Sequence, residues 1–246
     1  QTVNVTINGT NDRFVIGGVA SGSVTEDVAV NPANNLTTGG VLTIHDTDTS
    51  QSSFIAQTGT PGNHGYGSFT RLADGTWSYV IDNNQAAVQQ LGEGQSLTDS
   101  FRAVGYDGTA GKTITVTIHG TNDAPVAQAK TDAATEGGAV ITGSVVATDV
   151  DDGAALAYSL TDAAPAGLTF QADGSYSFDP TVGAYDHLAK DATQDVVVHY
   201  KANDGTADSN VSTLTITLTG TNDAPVAQAK TDTATEGGAV ISGSVV

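Results

Sequence analysis

Residues 120–146, GTNDAPVAQAKTDAATEGGAVITGSVV, recur at 220–246 with changes at two places only, Ala133 against Thr233 and Thr142 against Ser242. This duplication constrains the fold more than any other feature of the chain. A repeat spaced by about 100 residues is a whole domain, and a chain of such repeats behaves as an array of beads with nearest-neighbour contacts. The tetrapeptide GTND stands at 9–12, 120–123 and 220–223. Each copy follows a strongly alternating run: TVNVTIN (2–8), KTITVTIH (112–119) and STLTITLT (212–219). β-Branched residues at period two predict a strand with one buried face in each run.

The two complete repeats also match internally. Ala73-Asp74-Gly75-Thr76-Trp77-Ser78-Tyr79 corresponds to Ala172-Asp173-Gly174-Ser175-Tyr176-Ser177-Phe178. Asp-Gly between alternating segments predicts a turn, because glycine takes the required positive φ without steric penalty. Trp77 and Tyr79 share a strand face and are expected in the core. About seven short strands per repeat, with turn signals every 8–12 residues, predict an all-β chain of immunoglobulin-like sandwiches. The one helix candidate is NNQAAVQQLGEG (83–94), expected as one or two turns. The expected division is 10–121 and 122–221 for two repeats, with 1–9 the last strand of a preceding repeat and 222–246 the first strands of a following one.

Charge bounds the partners. Against 8 basic residues stand 27 acidic ones, for a formal net charge of −19. Nucleic acid and anionic membrane surfaces would repel such a chain. Only four of the acidic residues are Glu, at 26, 93, 136 and 236; the rest are Asp, whose short carboxylate suits tight turns and hard-cation loops. Cysteine is absent, which excludes disulfides and zinc–thiolate sites. No run of apolar residues is long enough to span a membrane as a helix.

The carboxylates cluster at equivalent places in the repeats. Glu26, Glu136 and Glu236 each follow a threonine. Asp46 and Asp48 occupy one loop of the first repeat, and Asp149, Asp151 and Asp152 the matching loop of the second. Asp107 and Asp204 lie in the penultimate loops, and Asn-Asp pairs mark the junctions at 11–12, 122–123 and 222–223. Carboxylates a few ångströms apart repel by about 1 to 4 kcal/mol per pair, depending on local dielectric. A hard divalent cation relieves that repulsion, and Ca2+ accepts six to eight oxygens in flexible geometry where Mg2+ demands a stricter octahedron.

The stretch TEGGAV…ATDVDDGAALAYSL…YKANDG…TLTITLTGTNDAPV resembles a cadherin repeat: a Glu in the first strand, an A-T-D-x-D-D loop, an A-x-D loop and an N-D-x-x-P junction. The first repeat, GGVLTIHDTDTSQSSF…LADGTWSYVIDN…TVTIHGTNDAP, resembles the bacterial VCBS repeat. Such repeats are typical of giant bacterial surface adhesins of the RTX type. The resemblance implies Greek-key sandwiches in an extended array, stiffened by Ca2+ at the junctions. It implies ligation at 122–123 by Asn122, Asp123, Asp149, Asp151 and Asp204, with Glu26 from the repeat above. At the next junction it implies Asn222, Asp223 and Glu136, and at the first Asn11, Asp12, Asp46, Asp48 and Asp107. The D-R-E segment of cadherins has no counterpart, so one or two ions per junction are expected rather than three.

No EF-hand spacing, GGxGxD run, HExxH, GxSxG or P-loop occurs, and the five histidines are scattered. The expectation is a non-enzymatic, Ca2+-binding spacer of a secreted surface adhesin, serving cell adhesion or biofilm formation. Its partners would be neighbouring repeats, with weak head-to-tail self-association through unpaired end strands. The alternative is a carbohydrate-binding module built on 57–70 and the aromatics Tyr66, Trp77 and Tyr79.

Overall fold

A computed structural model describes residues 1–47 and 52–244. The chain divides into two compact units. The first comprises Gln1–Val126, Thr148–Leu156 and Asn203–Ser209, and the second Ala127–Ala147, Ala157–Ala202 and Asn210–Val246. Two loops of the second sequence repeat thus group with the first unit.

In the first unit the strands are β1 (Val15–Gly18), β2 (Ser21–Thr25), β3 (Asn35–His45), β4 (Gln57–Pro61), β5 (Ser68–Arg71), β6 (Thr76–Asp82), β7 (Ser96–Val104) and β8 (Gly111–His119), with a single-turn helix α1 (Ala86–Gln89). They form a five-stranded sheet in the order β1-β3-β6-β5-β4 and a three-stranded sheet β2-β8-β7. Strand β6 alternates buried and exposed residues along its whole length. Trp77, Tyr79 and Ile81 from its inner face meet Ile114, Val116 and Ile118 of β8 in one core. Period-two patterning therefore does here what it should: it gives each sheet one apolar face, and the two faces close on each other.

The remaining strands are β9 (Val126–Gln128), β10 (Lys130–Thr135), β11 (Ile141–Ser144), β12 (Val146–Thr148), β13 (Ala157–Leu160), β14 (Leu168–Phe170), β15 (Ser175–Phe178), β16 (Thr193–Asn203) and β17 (Ser212–Thr219). They form the sheets β10-β17-β16-β13 and β11-β15-β14 and the short pair β12-β9. Leu214, Ile216 and Leu218 of β17 pack with Tyr176, Phe178 and Tyr200 in the core of the second unit. The Asp-Gly pairs form turns as expected, with Gly75 at φ 93° and Gly174 at φ 83°. Asp74 Oδ1 and Asp173 Oδ1 each accept the amide two residues on, the local bond that makes Asp a turn residue.

Two segments of strand-like sequence lie outside the sheets. Residues 2–8 and 222–244 carry no strand among the described residues and are exposed. Alternation supplies a strand-like face, but a strand exists through hydrogen bonds to a neighbour, and these segments make none of the ladder pairings that their sequence twins make. No helix among the described residues is long and apolar enough to cross a membrane.

Candidate metal centre

The position of the repeated Glu follows from a parallel pairing. Strand β2 runs parallel to β8 with Thr25 opposite His119, and β10 runs parallel to β17 with Thr135 opposite Thr219. The next residue, Glu26 or Glu136, then lies beside the start of GTND. The Glu26 amide donates to His119 O at 2.9 Å and the Glu136 amide to Thr219 O at 2.9 Å. Each side chain folds under the GTND threonine: Glu26 Oε2 accepts the Thr121 amide at 3.4 Å and Glu136 Oε2 the Thr221 amide at 2.8 Å. The glycine of GTND is needed for that path, since a Cβ on Gly120 would stand 2.0 Å from Leu91 O and one on Gly220 2.4 Å from Ala189 O.

Within the first unit, the linker and the two grouped loops bring their carboxylates together around Glu26. Asn122 Nδ2 donates to Asp204 Oδ2 at 3.0 Å and to Asp123 O at 3.0 Å. The Asp123 amide donates to Asp151 Oδ2 at 3.0 Å, and the Asp151 amide to Asp149 Oδ1 at 3.0 Å. Asp204 Oδ1 accepts the amides of Thr206 and Ala207. Five of these six residues are acidic, and four of them keep a buried oxygen without a hydrogen-bond partner: Glu26 Oε1, Asp123 Oδ2, Asp149 Oδ2 and Asp151 Oδ1. Glu26 as a whole is 0% exposed. Buried polar atoms are almost always paired, so four orphaned carboxylate oxygens in one region ask for a donor or a cation.

Their electrostatics agree. Burial pushes the Glu26 carboxyl up to about 7, against the pull of the Thr121 amide, and the charges of Asp123, Asp27 and Asp151 push the same way. Asp123 is raised by burial and by Asp27, Asp151 and Asp149. Asp151 is raised by burial and by Asp149 and Asp204, with the Asp123 amide opposing. Asp204 lies below the usual range despite its desolvation, because the Ala207 and Thr206 amides and Asn122 hold its charge. Among the described residues no three acidic, histidine or cysteine side chains already converge as a formed metal site; these carboxylates are neighbours that a cation would have to draw inward. The donor set fits a hard ion, being all oxygen and strongly negative.

The other junctions repeat parts of this arrangement. At the first, Asn11 Nδ2 donates to Asp107 Oδ2 at 2.7 Å, Thr47 Oγ1 donates to Asp12 Oδ2 at 2.7 Å, and Asp46 is buried with its amide on Ser52 Oγ. Asp48 lies outside the described residues. In the second unit Glu136 is 4% exposed and its Oε1 is unpartnered, while Asn222 and Asp223 are exposed, Asn222 donating to Asp223 O.

Sequence reasoning passed over three residues. Asp27 follows Glu26 and exchanges hydrogen bonds with Asn83, itself 4% exposed. Asp99 is 0% exposed in β7 and accepts from the amides of His64, Gly67 and Ser100 and from Tyr79 Oη, so one buried carboxylate shapes the 62–67 loop. Of the aromatics considered for sugar stacking, Trp77 and Tyr79 are core residues at 2% and 0% exposure. Tyr66 is half-buried beside a shallow cavity with Asn35, Asp82 and Gln85.

Residues 122–220 match the family model described as the bacterial cadherin-like domain. No curated protein sequence matches the chain. Among solved structures, it is similar to the protocadherin gamma B4 extracellular domain at 18% identity and a TM-score of 0.51, over 85% of this chain and 33% of that one. It is also similar to protocadherin gamma C5 EC1-3 at 16% identity and a TM-score of 0.50, over 81% of this chain and 65% of that one. The chain therefore spans less than two thirds of the length of either, and at these identities the likeness speaks for the fold. The chain is all-β with a cadherin-like sandwich fold of immunoglobulin type, and its residues 122–220 match the bacterial cadherin-like family.

Proposed function

We propose that this chain is a non-enzymatic spacer whose junctions take up Ca2+, part of a secreted bacterial surface adhesin that projects a binding domain for adhesion or biofilm formation. The observation that carries the reading is the set of four orphaned, buried carboxylate oxygens on Glu26, Asp123, Asp149 and Asp151. Glu26 belongs to the first sequence repeat, Asn122 and Asp123 to the linker, and Asp149, Asp151 and Asp204 to the second repeat. A cation shared among them neutralises a repulsion that their own hydrogen bonds leave in place. It also ties three stretches of chain that are distant in sequence to one point.

Without the ion, like charges hold these stretches apart and the joint samples more conformations. An ion that binds the closed arrangement better shifts the population towards it, by an amount set by its concentration over Kd. The VCBS-like first repeat, the division at 10–121 and 122–221, and an equivalent site at Glu136 belong to the same reading. Segments 1–9 and 222–244, strand-like in sequence and outside any sheet, would associate weakly head to tail by strand addition. Small-angle scattering with Ca2+ and with chelator tests the proposal: a narrower distribution of dimensions with Ca2+ supports it, and identical profiles contradict it. Burial of Trp77 and Tyr79 removes two of the three aromatics that a sugar-binding reading needs.

A further inference from the structure

The turn after β2 contains a residue out of place. Asp27 sits at φ 56°, while its sequence counterparts are Gly137 at 67° and Gly237 at 69°. The three turns share one hydrogen bond, the amides of Val28, Gly138 and Gly238 donating to the carbonyls of Thr25, Thr135 and Thr235 at 3.2, 2.9 and 3.0 Å, and the first turn differs further on in that Ala29 also takes a positive φ, 55°. Glycine is the ordinary occupant of this left-handed conformation, and aspartate and asparagine are the side chains that enter it most readily. The turn's own hydrogen bonding does not call for a carboxylate. At Gly137 the amide is satisfied by Pro180 O at 3.1 Å, the role that Asn83 Oδ1 fills for Asp27.

What the aspartate adds is a fixed negative charge beside the cluster. Its Oδ1 accepts from Asn83 Nδ2 at 2.6 Å and from Gln89 Nε2 at 3.3 Å, so two amides hold the side chain in one orientation. Gln89 in turn lines the same cavity of about 440 Å3 as Asp123 and Asp149. The adjoining Glu26 is fully buried with Oε1 unpartnered. Like-charge repulsion from Glu26 and Asp123 disfavours a carboxylate here in the absence of a cation, and it is tolerated. A carboxylate held at a position that glycine fills elsewhere, next to an orphaned buried carboxylate, points to a role in cation affinity.

We propose that Asp27 is an affinity-setting carboxylate of the junction at 122–123, which makes this junction a tighter site for a divalent cation than one with glycine at that position. The proposal rests on the Ca2+ reading above and deepens it. Asp27 acts by its charge near the ion, whether or not it enters the coordination sphere, and Asn83 and Gln89 position it.

The test compares the intact chain with Asp27→Asn, Asp27→Gly and, as a remote control of equal charge change in the β5–β6 turn, Asp74→Asn. Ca2+ itself is titrated by calorimetry, and thermal midpoints are measured in chelator. Removing one negative charge beside Glu26 and Asp123 is expected to weaken binding about tenfold in both Asp27 variants, with Asp74→Asn unchanged. In chelator Asp27→Asn should melt no lower than the parent, since repulsion is relieved and asparagine tolerates the left-handed turn. Parent-like affinity in Asp27→Asn overturns the role of Asp27 alone. A parent chain that binds no Ca2+ overturns the reading beneath it. A lowered midpoint in chelator together with unchanged affinity assigns Asp27 to the turn structure and overturns the proposal.

Discussion

Asn122 Nδ2 donates to Asp204 Oδ2 across 82 residues of sequence, at 3.0 Å, and Asn11 does the same to Asp107 at 2.7 Å. The asparagine of GTND is therefore a strut from the linker to the penultimate loop. Its partner is ionised, which strengthens the bond. Asn122→Ala removes the strut and leaves Asp204 Oδ2 without that donor. The expected cost is about 1 kcal/mol of unfolding free energy in chelator, measured by denaturant titration. A variant as stable as the parent would show that the bond contributes nothing.

The Glu26 carboxyl gives a pH dependence of definite sign. Its folded value, about 7, lies above the ordinary 4.5, so the native state binds more protons than the unfolded state between those limits. Stability in chelator is then greatest below about pH 4.5 on account of this group and falls as pH rises through 7, by about 3 kcal/mol at most. Asp123 and Asp151 are raised also and act in the same direction. Glu26→Gln should flatten most of this slope. Denaturant midpoints at pH 5 and pH 8 decide the matter, and a parent more stable at pH 8 contradicts it.

Arg71 is 0% exposed. Its Nη1 donates to Val104 O at 3.0 Å and its Nη2 reaches Gln57 Oε1 at 3.4 Å, while the guanidinium lies 4.9 Å from the Phe54 ring centroid. Neither acceptor is charged, and Nε has no partner, so the side chain fills space more than it pairs charge. Arg71→Met, which keeps the volume, is expected within about 1 kcal/mol of the parent, whereas Arg71→Ala should lose about 3 kcal/mol to the cavity. Equal losses in the two variants would mean that the charge, not the volume, matters.

The duplicated segment provides an internal control on strand formation. Lys130–Thr135 is strand β10, paired along its length with Leu214–Thr219, and residues 230–235, which differ from it only at Thr233, are exposed coil. Amide hydrogen exchange should find protection across 130–135 and near-random-coil rates at 230–235. Equal protection of the two would contradict the assignment.

That contrast also marks what the sequence could convey. Period-two alternation located β6, β8 and β17 and placed Trp77 and Tyr79 in the core, because burial on one face is a local pattern. It could not say that β10 lies parallel to β17, because a partner is a non-local fact. The spacing of Glu26 from GTND was legible as a repeat, and the parallel register explains why that spacing puts Glu26 beneath Thr121. Asp27, Asn83 and Asp99 were illegible. Their importance lies in a positive φ, a buried amide and a buried carboxylate, none of which has a signature in a single sequence.

The most direct measurement is a calorimetric titration of Ca2+ into the chelator-treated parent chain and into Glu26→Gln, at pH 7.5 and fixed salt. The account predicts saturable binding to the parent and an affinity at least tenfold lower in the variant, since the neutral amide brings no charge to the cluster. Absence of saturable binding to the parent, or a variant that binds as the parent does, would contradict it.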